Sequence, residues 1–263
     1  MDKALERPMR SITSLFAAFA VLLGGALTPA IAAEEAPTPP AQDWSFDGVF
    51  GTFDRAASQR GLQVYLEVCS LCHALDYVAY RNLTALGFTE AEVEAIAQRY
   101  SVTDGPDDSG DMFERPGLPQ DRFVAPFANE QAARAANNNA YPPDLSLMVE
   151  ARAGGADYLY GLLTGYVEAP DDVELSAGMS YNEYFPGHQI AMPNMLGDGA
   201  VQYTDGTEAT TQQMAWDVTN FLAWTSEPNL EDRLNTGRGV IIYLLIFAGL
   251  LYAVKRKIWA KVH

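Results

Sequence analysis

The chain has 263 residues, 48% of them hydrophobic, and carries 34 acidic against 17 basic side chains, a formal net charge of -17. That length permits one domain with a substantial core, and that charge excludes nucleic acid as a partner. With only two cysteines, a structural zinc site would lack two further soft ligands.

Residues 1–33 have the three parts of a secretory signal peptide. Lys3, Arg7 and Arg10 precede an apolar run from Ile12 to Leu27, and small residues at Ala30, Ala32 and Ala33 offer a cleavage site. An uncleaved membrane anchor is the alternative. Residues 34–45, rich in Pro and Ala, read as a flexible arm, and the globular domain is expected over 46–236.

The first helix is expected from Phe53 or Asp54 to the cysteines, with Leu62, Leu66 and Cys69 at helical spacing. Gly61 and Tyr65 lie one turn apart, a small residue beside an aromatic, which permits close crossing by another helix. The helix leads into Cys69-Ser70-Leu71-Cys72-His73. The spacing C-x-x-C-H reads as a c-type haem attachment site: each thiol can add to one vinyl group, and the next residue places an imidazole under the iron. A thioredoxin-like pair would need a βαβ context, which the pattern lacks. There is no second such motif, so the expected cofactor is one haem c, held covalently by Cys69 and Cys72 with His73 as an axial iron ligand.

Further helices are expected at Thr89–Tyr100, opened by a capping box from Thr89 to Glu92, at Asp144–Ala153 and at Asp157–Leu163. Between them prolines are frequent and strand signal is slight. The last domain helix is expected over Thr210–Ser226, with Met214, Val218, Phe221, Leu222 and Trp224 on its apolar side and Pro228 as its stop. The fold class is therefore mostly α: a class I cytochrome c-like helical domain with long loop insertions around one haem.

For the second axial position the domain offers His188 and Met112, Met148, Met179, Met192, Met195 and Met214. Met148 and Met214 sit on helix faces, where methionine usually fills core. Met112 and Met179 lie in loops away from any apolar cluster. Met192, stiffened by the proline that follows it, is favoured over Met195, with His188 third.

Near the C-terminus, Gly239 to Val254 runs without a charge and is followed by Lys255, Arg256, Lys257 and Lys261. At ~1.5 Å per residue the apolar run spans roughly 24 Å, and Arg238 and Lys255 can snorkel to complete a membrane crossing. Residues 237–255 are expected to be a transmembrane anchor and 256–263 a basic tail. The positive-inside rule puts that tail in the cytoplasm and the haem domain on the periplasmic side of a bacterial inner membrane; the alternative is a mitochondrial inner membrane facing the intermembrane space. Acidic residues cluster at Asp104, Asp107, Asp108 and Asp111, and again at Glu168, Asp171, Asp172 and Glu174. Such clusters are either a solvated face or a surface for a basic partner.

Several stretches together resemble the cytochrome c1 family: RGLQVYLEVCSLCH, YVAYRNL, RAANNNAYPPDLSLMVEARAGGADYLYGLLTGY, YNEYFPGHQIAMPNM, YTDGTEATTQQMAWDVTNFLAWTSEP and the anchor with VKRKIW after it. The resemblance implies a haem subunit of the cytochrome bc1 complex, passing electrons from the Rieske iron–sulfur protein to a cytochrome c beside cytochrome b, within a dimeric complex. It implies Met192 as the sixth iron ligand, Arg152 and Tyr158 at the haem propionates, and Asn137 with the Pro142-Pro143 turn in the haem pocket. The sequence departs from the family pattern at Asn194, where a second proline is common. Two other readings stand beside it: a tethered carrier serving a different reductase or oxidase, and a haem enzyme or sensor with an open sixth position.

Overall fold

The computed structural model describes residues 36–260. The expected signal peptide, His263 and the end of the basic tail lie outside them. Helix α1 (Arg55–Glu67) begins where Asp54 accepts the amide of Ala57 at 3.0 Å, satisfying an otherwise orphan donor. Helix α2 (Glu90–Ala97) carries the expected capping box: the Thr89 hydroxyl accepts from the Glu92 amide, and the Glu92 carboxylate accepts from the Thr89 amide at 2.8 Å. Helices α3 (Glu130–Ala136), α4 (Gly155–Thr164), α5 (Thr211–Ser226) and α6 (Leu230–Trp259) follow. Among the described residues strands form two antiparallel pairs, β1 (Ser101–Asp104) with β2 (Phe113–Pro116) and β3 (Ser180–Tyr181) with β4 (Gln189–Ile190).

The domain is built on the crossing of α1 and α5. A Cβ on Gly61 would lie 2.0 Å from the Asp217 carbonyl oxygen and 2.7 Å from Phe221 Cβ, so only glycine lets the two backbones approach this closely. One turn on, the Tyr65 ring packs against Phe221 and Phe123 at 5.8 Å. An ion pair locks the crossing. Arg60 donates through Nε and Nη2 to the two Asp217 oxygens, both at 2.9 Å, and Gln213 donates to the same carboxylate at 3.1 Å. Asp217 has no solvent exposure, so its charge is tolerable only because these donors surround it.

Two expectations differ from the structure. Asp144–Ala153 is a run of turns, not a helix. Its polar side chains bond elsewhere: Asp144 accepts from the Asp76 amide at 2.7 Å, Ser146 Oγ accepts from the Tyr77 amide at 3.0 Å, and Gly154 and Gly155 end the segment with positive φ. The Pro/Ala-rich stretch expected as an arm lacks regular structure over its described part and is largely exposed, yet its C-terminal end is pinned to the domain. The Gln42 amide and the Trp44 indole both donate to Asp157 at 2.8 Å, and Trp44 stacks on Trp216 with centroids 4.2 Å apart.

Helix α6 has 30 residues, none of them buried, and extends about 45 Å at ~1.5 Å per residue. It starts before the apolar run, with Glu231 and Asp232 in its first turn and Arg256 and Lys257 in its last, an order that suits the helix dipole. It is long and apolar enough to cross a membrane.

Candidate functional site

At the end of α1 the chain tightens into a 3₁₀ turn, Cys69–Leu71, in which the Cys69 carbonyl accepts from both the Cys72 and His73 amides, at 3.1 and 2.9 Å. Both cysteines are free thiols and border one cavity. Burial pushes the Cys69 thiol up to about 12, with the neighbouring Cys72 adding to the effect.

His73 is oriented by its outer nitrogen. Nδ1 lies 2.8 Å from the carbonyl oxygen of Pro143; a carbonyl can only accept, so Nδ1 carries the proton and Nε2 is left with its lone pair. Burial also lowers the pKa of His73, with the Pro143 bond opposing, which favours the neutral ring that can ligate a metal. The Pro143 segment is itself fixed, because Asp144 and Ser146 hold the amides of residues 76 and 77 and the Leu145 amide donates to the Ala74 carbonyl at 3.0 Å. Neither Asp144 nor Ser146 stood out in the sequence as part of the site, and no local signal marks them.

The cavity has a volume of about 380 Å³, within the size range of cofactor pockets. Leu159 and Leu162 of α4 and Val218 and Leu222 of α5 form much of its apolar lining, and the loop from Ile190 to Leu196 closes another side. Asn137, Pro143, Arg152, Tyr158 and Met192 all border this cavity. So does Met195, which is 44% exposed. Asn137 is held as the cap of α3, its side-chain amide donating to the Ala133 carbonyl at 2.7 Å. Met192 is half-buried, and its carbonyl accepts a hydrogen bond of 3.0 Å from the Tyr166 hydroxyl. Tyr166 also lines the cavity; nothing in its sequence context singles it out.

Of the remaining candidates, Met148 also borders the cavity, as a buried part of its wall, and the others fall elsewhere. Met214 is core, with no exposure, and Met112 is 60% exposed on a loop. His188 does not border the cavity. Its ring stacks on Tyr181 at 5.3 Å, and its Nδ1 donates to the Asn182 carbonyl at 3.1 Å. Among the described residues no group of three or more His, Cys, Asp or Glu side chains is arranged to hold a metal ion. The arrangement fits a porphyrin: an apolar slot, two thiols at one end, one imidazole with a free Nε2, thioethers on the loop and a guanidinium at the border.

A family model described as the Cytochrome C1 family matches residues 44–262. The chain belongs to the cytochrome c1 family. Among its relatives, a protein of Bradyrhizobium diazoefficiens named "Cytochrome b/c1" is 47% identical over 98% of this chain, which spans 41% of that protein's length. "Cytochrome b-c1 complex catalytic subunit, mitochondrial" of Candida albicans is 50% identical over 88% of the chain and 81% of its own length. "Cytochrome c1, heme protein, mitochondrial" of Saccharomyces cerevisiae is 50% identical over 87% of the chain and 74% of its own length. The cytochrome c1 match takes in the motif, the cavity walls and all of α6. The mostly helical domain with one long apolar C-terminal helix agrees with the fold expected from sequence.

Proposed function

We propose that this chain is the haem-bearing electron-transfer subunit of a cytochrome bc1 complex, working beside cytochrome b and a Rieske iron–sulfur protein within a dimeric complex. One observation carries the reading: Cys69, Cys72 and a His73 whose free Nε2 is set by the Pro143 carbonyl meet in a single apolar cavity. Bound there, haem c would supply one-electron transfer at iron, with no bond made or broken by the chain. The chain's own residues attach the ring, exclude water and select the potential. Membership of the family and the relatives' names support the assignment.

We assign His73 and Met192 as the axial ligands. Half-burial and the Tyr166 hydrogen bond support Met192 over the more exposed Met195. A thioether favours reduced iron and so raises the potential. Arg152 and Tyr158 are assigned to the propionates, since a guanidinium can meet a carboxylate at two points, and Asn137 and Pro143 to the pocket wall. For the domains, residues 1–33 would direct export, 46–236 would form the haem domain in the periplasm or intermembrane space, 237–255 would cross the inner membrane, and 256–263 would stay in the cytoplasm or matrix.

The electron acceptor would be a basic cytochrome c. Of the two acidic clusters, the second has the better position. Glu168 is two residues from Tyr166, and the 174–176 backbone is tied to β4 through Gln189, which accepts from the Ser176 amide at 3.0 Å. In the first, Asp104 is paired with Arg115, and Asp107 spends one oxygen on the amides of Ser109 and Asp111. Neutralising Glu168, Asp171, Asp172 and Glu174 should therefore slow electron transfer at low salt more than neutralising the first cluster.

The test of the whole reading is purification from membranes, with spectra of the reduced protein with and without carbon monoxide. Co-purification with cytochrome b and a Rieske protein, and a spectrum indifferent to carbon monoxide, are expected. Purification without them would favour a tethered carrier for another enzyme, and carbon monoxide binding would favour a haem enzyme or sensor.

A further inference from the structure

The turn ahead of α1 carries two large apolar side chains that the haem site does not use. Val49 is 64% exposed and Phe50 76%, between Gly48 and Gly51. The base of this turn is firm. Trp44, Phe46 and Phe53 are buried, the Thr52 amide donates to the Ser45 carbonyl at 2.9 Å, and a Cβ on Gly51 would lie 2.0 Å from the Phe46 carbonyl oxygen. Its tip is therefore held out by a rigid base, and its exposure is not that of a loose loop.

The same turn is fastened to α6 at two heights. Glu231, in the first turn of the helix, accepts from the Phe53 amide at 2.8 Å and from both Arg55 Nη atoms at 2.6 and 2.8 Å. Seven residues on, about 10 Å along the axis, Arg238 donates to the Val49 carbonyl at 2.7 Å, and its guanidinium lies 5.1 Å from the centroid of the Phe50 ring. Arg238 is the last charge before the apolar run. The tip thus lies beside the helix at the height where its charge-free stretch begins.

We propose that Val49 and Phe50 enter the membrane surface beside α6, giving the haem domain a second point of attachment to the lipid. This rests on the reading of α6 as a membrane-spanning helix. The chemistry favours lipid: an aromatic and an aliphatic side chain at a helix entry point, with an arginine beside them, suit the interfacial zone. Two side chains are also too little to form a stable protein interface, which buries about 1,000 Å² or more. One helix alone would let the domain swivel about the helix axis; a second contact fixes which face of the haem domain is turned along the membrane plane.

The test uses the full-length holoprotein in phosphatidylcholine vesicles. With Cys69 and Cys72 consumed by haem, Phe50→Cys provides a single reactive thiol for a fluorophore; Val49→Cys repeats the measurement, Asp108→Cys is the water-exposed reference and Leu245→Cys the lipid reference. The haem spectrum reports folding of each variant. We expect labels at 49 and 50 to be quenched several-fold more by brominated lipid, and several-fold less by iodide, than the label at 108. Iodide quenching equal to that at 108 places the tip in water and overturns the inference while leaving the anchor intact. Shielding from both quenchers means protein covers the tip, and also overturns it. If the label at 245 escapes brominated lipid, the anchor reading falls and this inference with it.

Discussion

The two sides of the haem cavity are built differently. The motif side hangs from the α1–α5 crossing, where Gly61, Arg60 and Asp217 are packed without room for a methyl group. Three further bonds, from Asp76, Tyr77 and Leu145, then tie residues 74–77 to the strap that carries Pro143. The Ile190–Leu196 side is a loop. Its ties are the short β3–β4 pairing, the bond from Tyr166 to the Met192 carbonyl and, at its far end, the bond from the Thr211 hydroxyl to the Leu196 carbonyl, and Pro193 and Asn194 lie exposed. Covalent attachment needs fixed thiols, whereas an axial thioether needs only to be presented at the right distance. Disturbance on the first side should therefore destroy the site, and disturbance on the second should retune it.

The largest effect is expected from Arg60→Ala. It leaves the Asp217 carboxylate buried with only Gln213 as a donor, and breaking such a pair costs about 3–5 kcal/mol. Thermal unfolding of the holoprotein should show the loss, and haem incorporation should fall because Val218 and Leu222, on the same helix, line the cavity. A variant as stable as the parent would show that the crossing does not depend on this pair. Gly61→Ala follows. Its Cβ would meet backbone, not a flexible side chain, so the helices must part, at about 1–3 kcal/mol or more. Here too the yield of attached haem should fall along with stability.

On the loop side, Met192→Leu is nearly volume-conserving and should cost less than about 1.5 kcal/mol. Covalent haem should be retained through Cys69 and Cys72, while the potential drops sharply and the reduced iron binds carbon monoxide. Met195→Leu is the matched control. If the long-wavelength sulfur-to-iron band survives in Met192→Leu and vanishes in Met195→Leu, the ligand is Met195.

The same contrast governs what could be read from the sequence. The motif, the capping box at Thr89 and the Gly61–Tyr65 crossing with the 210–226 helix depend on spacing along one or two segments, and each has a counterpart in the structure. Asp144–Ala153 did not, because its helical apolar spacing competes with Asp144 and Ser146, which bond to residues some 70 positions earlier. The full length of α6 was hidden for a related reason: its first two turns are polar, and what holds them helical includes the Glu231 clamp to Arg55. For the sixth ligand, residue type and the proline after Met192 favour it over Met195 from sequence, whereas the Tyr166 bond to the Met192 carbonyl comes from 26 residues away and leaves no local signal.

The smallest effect, and the one that tests how the loop is held, is expected from Tyr166→Phe. The ring remains to fill the cavity wall, and only the hydroxyl bond to the Met192 carbonyl is lost, worth about 0.5–1.5 kcal/mol. If that bond merely stabilises the fold, unfolding shifts slightly and the haem is untouched. If it positions the loop, the potential should fall part of the way toward that of Met192→Leu, and the sulfur-to-iron band should weaken while haem attachment stays complete. The double variant separates the two: with Met192 already Leu, Tyr166→Phe should move the potential no further, since no thioether remains to be positioned. A second drop of equal size would mean that Tyr166 acts on the haem through its own polarity and not through the ligand loop.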